Sequence, residues 1–307
     1  MADAGTTRGS PNYGGRLGYG IFYGLMRWFG VTPAYVLLAF VAPYYVLIRG
    51  KARRSAAPYL RHRFPDRGPV WRFFATILHF YRFGQVLVDQ GSLGILGEEH
   101  FRIDFPGKQR FMRLAGRRRG VVVLGSHVGN WQSSMVRMPS LGVPVHFQFR
   151  LEEHTEGRHF FDLANSKDRF HFVSPDGFLG GMIELTHALQ AGECVAMMGD
   201  RPFGAPVRQV PFLGEAAAFP VTPHHLAAST GADLVALLTV RTGKQAFRVR
   251  CVRLATGRPG RDLPRSERIE RSLRRYVKFL ERHVEESPFQ WFNFFDFWRG
   301  GEQTPAP

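Results

Sequence analysis

The sequence predicts an α/β fold, a mixed sheet flanked by helices, with an N-terminal helical segment associated with a membrane ahead of it. Three observations lead there. Short, continuous apolar runs alternate with helical stretches after Gly120, the pattern of strands buried on both faces. The 21 residues from Trp28 to Ile48 contain no Asp, Glu, Lys, Arg or His. A histidine follows the first apolar run in the small-residue turn Gly125-Ser126-His127, the end of a strand where α/β sheets hold ligands.

Residues 1–20 are rich in Gly, Ser and Thr and are expected to be a flexible N-terminus without a secretory signal. The apolar stretch that follows would be about 31 Å long as a helix, one bilayer core. Pro33 and Pro43 interrupt it, and Trp28, Tyr44 and Tyr45 suit an interface, so spanning and surface-lying poses both remain open. Arg16 and Arg27 lie upstream, whereas Arg49, Lys51, Arg53, Arg54, Arg61 and Arg63 lie downstream, which orients the bulk of the chain to the cytoplasmic side. Residues 71–90 carry Phe74, Ile77, Leu78, Tyr81 and Val88 at helical spacing, with Gln85 the exception, and predict a second amphipathic helix.

The apolar runs at 121–126, 144–149, 193–199 and 233–240 predict strands, and helices are expected from Asn130, near 178–190 and 221–230, and over 265–286. The stretch 246–254 alternates apolar residues with Arg, as an edge strand with one wet face does. The turn at 257–264 leads into the last helix, and the chain closes on the aromatic run Phe289 to Trp298. The expected division is therefore a flexible 1–20, an anchoring helical region 21–95, an α/β domain 96–300 and a flexible tail 301–307.

Composition narrows the function. Lys plus Arg number 41 against 25 Asp plus Glu, a formal charge of +16, which favours an anionic partner. Nucleic acid is the rival on charge alone, but no helix-turn-helix, zinc-finger or RNA-recognition signature is present, so no nucleic-acid partner is expected. Cys194 and Cys251 are the two cysteines and form no metal-ligand spacing; no metal or redox cofactor is implied. The basic run Arg117-Arg118-Arg119 and the helix bearing Arg265, Arg268, Arg271, Arg274, Arg275 and Lys278 are read either as solvated faces, since Glu267, Glu270 and Glu281 intervene, or as contacts to anionic lipid or an acidic protein.

His127 is the candidate general base. Ser126, Gly129 and Asn130 are expected to bind substrate beside it, with Gly129 allowing close backbone approach and the free N–H groups at the helix start facing a developing oxyanion. Gly199-Asp200-Arg201 follows another apolar run and ends at the same kind of sheet edge, where Arg201 can clamp a phosphate or carboxylate that Asp200 orients. A loop ion pair is the plainer reading.

The segment Ser126-His127-Val128-Gly129-Asn130-Trp131 resembles the histidine motif of the lysophospholipid acyltransferase superfamily, in its lipid A late acyltransferase-like branch. Residues 197–203, 210–220 and 226–235 resemble further blocks in the family's order, and 287–298 is similar to predicted acyltransferases of aryl-polyene and pigment-lipid gene clusters. The resemblance covers about residues 15–300. It implies a glycerolipid acyltransferase-like catalytic domain at the cytoplasmic face of a bacterial inner membrane. The implied reaction moves an acyl chain from a thioester of acyl carrier protein or CoA, a co-substrate rather than a cofactor, to a hydroxyl or amine of a membrane amphiphile. His127 is then the base, and Phe212 and Phe219 belong to a hydrophobic block beside an acyl tunnel, which Phe292, Phe294, Phe295, Phe297 and Trp298 would close unless they simply pack.

One departure stands out. The family's acidic residue five positions after the histidine is Gln132 here. An amide in that position neither raises the basicity of the imidazole nor secures its tautomer, and the loss in rate can be about 10⁴. Three explanations follow: a substituted acid that leaves the chain inactivated, which is the preferred expectation; a natural variant using another carboxylate such as Asp200; or a catalytically silent lipid- or acyl-carrier-binding protein on the same fold. A hydrolase is a further option, without the GxSxG elbow to support it.

Overall fold

The computed structural model describes residues 16–132, 142–148, 170–202, 204–257 and 263–299. Most of the expected flexible N-terminus, the tail 301–307 and the helix expected beyond Gln132 lie outside them. Four helices open the chain: α1 (Arg16–Phe29), α2 (Val31–Ile48), α3 (Gly50–Arg63) and α4 (Pro69–Leu96). There follow β1 (Arg102–Asp104), α5 (Lys108–Ala115), β2 (Val121–Gly125), β3 (Val145–Gln148), β4 (Phe170–Val173), α6 (Met182–Gln190) and β5 (Cys194–Met198). The rest comprises β6 (Val207–Phe212), β7 (Glu215–Pro220), α7 (Thr222–Thr230), β8 (Asp233–Gly243), β9 (Ala246–Ala255) and α8 (Arg265–Glu286).

Seven strands form one mixed sheet in the order β1-β9-β8-β2-β5-β3-β4, parallel throughout except for the antiparallel β8–β9 pair. The alternation of side chains explains why the central strands read as unbroken apolar runs. Val122 and Leu124 of β2 face the core shared with Leu185 of α6, Leu226 of α7 and Leu273 of α8, while Val121 and Val123 face Phe111 and Leu114 of α5. Parallel pairing of β2 with β5 sets Gly125 opposite Met198, so the turns that follow, bearing His127 and Asp200, emerge side by side.

The stretch expected to be an edge strand is not one. β9 lies between β8 and the three-residue β1, and Arg248 pairs with Asp104 of β1 at 2.7 Å. Of its arginines, Arg248 meets Asp104 across the short β1 and Arg250 meets Glu286 of α8, both pairs still partly open to solvent. A second difference concerns α4, whose predicted apolar stripe is divided: Phe74 and Leu78 are exposed, Ile77 and Tyr81 half-buried and Val88 buried, while Thr76, His79, Gln85, Asp89 and Ser92 are buried among them. Asp89 and Gln85 on the inner face are held by Arg241 of β8, and Asp89 also by Tyr35 of α2, whereas Thr76 and Ser92 bond carbonyls of α4 itself, so these polar side chains are buried with their hydrogen bonds made.

β6 and β7 form a separate hairpin closed by Leu213-Gly214, both with positive φ of 51° and 86°, the two-residue turn whose twist suits paired strands. α2 is one-sided: Val31, Ala34, Tyr35, Leu38, Ala42 and Val46 are buried, and Val36, Phe40, Tyr44 and Leu47 are exposed. Its inner face meets α4 closely at Gly84, where an added Cβ would lie 2.4 Å from the Leu38 side chain. By length and composition α2 is a helix able to cross a membrane.

Candidate active site

The site is built from two strand ends and the C-terminal segment. After β2, the Gly125 carbonyl accepts the backbone N–H of Gly199 and the hydroxyl of Tyr276, each at 2.9 Å, which pins the end of β2 to the end of β5 and to α8. His127 and Asp200 therefore meet. The Asp200 carboxylate is fully buried; its Oδ1 lies 2.8 Å from His127 Nδ1, and its Oδ2 accepts the His127 backbone N–H at 2.7 Å. The imidazole retains 16% of its side-chain surface.

A third donor completes the carboxylate's shell. Trp291 Nε1–H donates to Asp200 Oδ2 at 2.9 Å from a wholly buried indole. The residues on either side of Trp291 fasten the histidine turn as well: Phe292 N–H donates to the His127 carbonyl at 2.8 Å, and the Gln290 carbonyl accepts the Gly129 N–H at 2.7 Å. Neither Trp291 nor Gln290 is singled out by sequence pattern, because an aromatic run shows nothing of which indole reaches across the sheet.

The electrostatics suit a neutral base. Burial and then the Arg201 charge lower the His127 pKa, with Asp200 partly offsetting them. Burial alone would raise the pKa of Asp200, but His127 and Arg201 hold it below the ordinary carboxylate value. An ionised carboxylate can only accept, so Nδ1 carries the proton and Nε2 presents its lone pair.

The other expected residues have definite places. Gln132 lies beside the site but turns to α4, where its Oε1 accepts from Gln90 Nε2 at 2.7 Å; the same Gln90 amide lies 3.4 Å from Asn130 Oδ1. Gly129 has φ +55°, and an added Cβ would fall 2.0 Å from the Thr239 carbonyl oxygen, so the close backbone approach it permits is to β8. The Asn130 N–H donates to that same carbonyl at 3.1 Å. The backbone donors of Gly129 and Asn130 are thus committed within the fold. Ser126 is buried behind them. Arg201 Nη2 lies 3.4 Å from the Phe292 carbonyl, and its guanidinium stands 5.7 Å from the Phe295 ring centroid.

Phe212 and Phe219 are wholly buried, edge to face at 5.5 Å, and Phe212 packs in the same way against Trp291 at 5.3 Å. They support the indole that holds Asp200. Phe294 is half-buried and stacks on Phe80 of α4 at 4.8 Å, with Phe83 5.1 Å away. Among the described residues no group of three or more His, Cys, Asp or Glu is spaced to hold a metal ion.

A family model described as bacterial lipid A biosynthesis acyltransferase matches residues 10–300. Comparison with curated proteins gave no match. The match takes in the His127 turn, the Asp200-Arg201 turn, the β6–β7 hairpin and the Trp291 segment, which is nearly the whole chain. The chain belongs to the bacterial lipid A biosynthesis acyltransferase family.

Proposed function

We propose that the chain carries an acyl group from a thioester, borne by acyl carrier protein or CoA, to a hydroxyl or amine of a membrane lipid or glycolipid, with His127 as general base and Asp200 as its orienting acid. The observation that carries this reading is the 2.8 Å contact between Asp200 Oδ1 and His127 Nδ1 in an imidazole still partly open to solvent. Nε2 takes the proton of the acceptor as its oxygen or nitrogen attacks the thioester carbonyl carbon. The carbonyl electrons move to oxygen, then return as the carbon–sulfur bond breaks. The imidazolium gives its proton to the departing thiolate, leaving ester or amide and free thiol. The cation of Arg201, close enough to depress the basicity of His127, adds positive potential where an oxyanion or a phosphate of either substrate would sit. The thioester enters this sequence as a co-substrate, and no step calls for a cofactor.

The acid at the family's fifth position is absent, and Asp200 supplies its chemistry from the neighbouring strand end. Gln132 then braces Gln90 and the turn. The family is membrane-associated, and the exposed face of α2 together with the charge of +16 supports a position at the anionic cytoplasmic face of the inner membrane.

The test is acyl transfer from acyl carrier protein and CoA thioesters to lipid acceptors by the given chain and three variants. His127→Ala should abolish turnover, Asp200→Asn should lower it by about 10³–10⁴, and Gln132→Glu should change it by less than about tenfold. A gain of several orders of magnitude from Gln132→Glu would instead mark the chain as inactivated at that position. Binding of lipid or acyl carrier with no transfer by any of these proteins would favour the silent binding protein.

A further inference from the structure

We propose that Trp291 is a positioning residue of the active site: its indole N–H fixes the Asp200 carboxylate, and through it the ring of His127. This rests on the reading of His127 and Asp200 as base and orienting acid. Asp200 is fully buried and receives three N–H donors, two from His127 and one from Trp291. Two of them converge on Oδ2, which fixes the carboxylate plane and aims Oδ1 at Nδ1. His127 cannot provide that restraint alone, since both its donors move with the turn they belong to. Trp291 comes from a separate element, and its ring is held edge-on by Tyr59, Phe212 and Phe297 at 5.1–5.3 Å. The segment is also tied down by backbone bonds from Gln290 and Phe292 to the His127 turn and by the Gln290 side chain, which bonds both the N–H and the carbonyl of Arg241. The C-terminal segment thus clamps acid and base together.

Removing the indole N–H while keeping a ring has a calculable sign. A carboxylate with one donor fewer is a stronger acceptor for those that remain, so it stabilises the imidazolium more and its plane is less fixed. The titratable and charged groups around the cluster are His127, Asp200 and Arg201 at the strand ends, Tyr276 from α8 and Tyr59 from α3; none of them replaces the missing donor. Trp291→Phe should lower kcat about 10- to 100-fold with KM little changed, and the acid limb of the pH–kcat/KM profile should move upward towards the ordinary imidazole range.

Trp298→Phe is the control. It removes an indole N–H from the same aromatic cluster, there bonded to the Phe212 carbonyl, without touching Asp200. Its acid limb should stay where it is in the unaltered chain. An unmoved limb and unchanged kcat in Trp291→Phe, or equal shifts in both variants, would overturn the proposal. A second measurement covers failure of Trp291→Phe to fold. In the unaltered chain the indole proton resonance of Trp291 should shift over the pH interval in which His127 titrates, and a resonance that stays still across it also overturns the proposal. Absence of acyl transfer with every thioester would sink the functional reading alone, because the resonance test needs no turnover.

Discussion

Two histidines outside the His127–Asp200 pair make the molecule acid-sensitive. His79 is fully buried against the rings of Tyr59, Phe80, Phe292 and Phe294, and burial lowers its pKa from 6.5 to about 3. His224 is likewise lowered to about 3, by burial and then by the neighbouring His225. Its Nδ1–H donates to Ser272 Oγ at 2.8 Å, since that hydroxyl spends its own proton on the Ile269 carbonyl. In both cases the unfolded chain binds protons more readily than the folded one between about pH 3 and 6.5. Their stabilisation is therefore complete above 6.5 and drains away as the pH falls through that window. Each should cost on the order of 1 kcal/mol per pH unit. Denaturant unfolding from pH 7 to 4 should show this slope, and His79→Phe should flatten it; an equally steep decline in that variant would refute the assignment.

At the scale of elements, the junction of α2, α4 and β8 is held by a buried polar group rather than by greasy packing alone. Asp89 of α4 is wholly buried, accepts the Tyr35 hydroxyl of α2, and pairs with Arg241 Nε of β8 at 2.7 Å. Burial raises the Asp89 pKa and the Arg241 charge opposes that rise. Asp89→Ala leaves a buried guanidinium without its acid and should destabilise the fold by about 3–5 kcal/mol, against about 0–1 kcal/mol for Asp104→Ala, whose pair with Arg248 is half exposed. Equal midpoints for the two variants in a chemical denaturation series would count against this. The same junction shows where sequence reading stops. Helices and central strands were legible because hydrophobic periodicity is local, and His127 and Asp200 each stood out at a strand end. The pairing of β2 with β5, which makes them partners, depends on strands some seventy residues apart. β1 and β4 are too short to register, and the Leu213-Gly214 turn lacks the usual Asn-Gly signal. The inner face of α4 is misread from sequence because Gln85 and Asp89 lie on it beside Val86 and Val88, satisfied by Tyr35 and Arg241, neither of which is near them in sequence.

At the scale of the whole molecule, most of the large apolar side chains left exposed among the described residues fall on α1, α2 and α4, including Trp28, Phe29, Phe40, Tyr44, Leu47 and Phe74. Basic residues border that face, and Arg53 Nη1 donates to the Val46 and Leu47 carbonyls at 2.5 and 2.7 Å, a cation at the C-terminal end of α2. The opposite side of α2 is committed to the domain through Leu38 against Gly84 and through Tyr35 on Asp89. A helix with one face locked to a polar junction is better served by lying in the interface, apolar face down, than by crossing the bilayer with that junction attached. The full chain should therefore bind vesicles containing anionic lipid more tightly than neutral ones, with binding that weakens as salt rises, each basic residue near the surface contributing about 1 kcal/mol. Phe40→Asp with Tyr44→Asp should release it from vesicles without lowering its Tm, because both side chains are exposed. Single cysteines at Trp28 and Leu47, in a chain with Cys194 and Cys251 replaced by Ala, should react with an impermeant maleimide from the same side of a sealed vesicle. Labelling of the two positions from opposite sides would establish that α2 spans, and would require the Tyr35–Asp89–Arg241 junction to sit within the membrane.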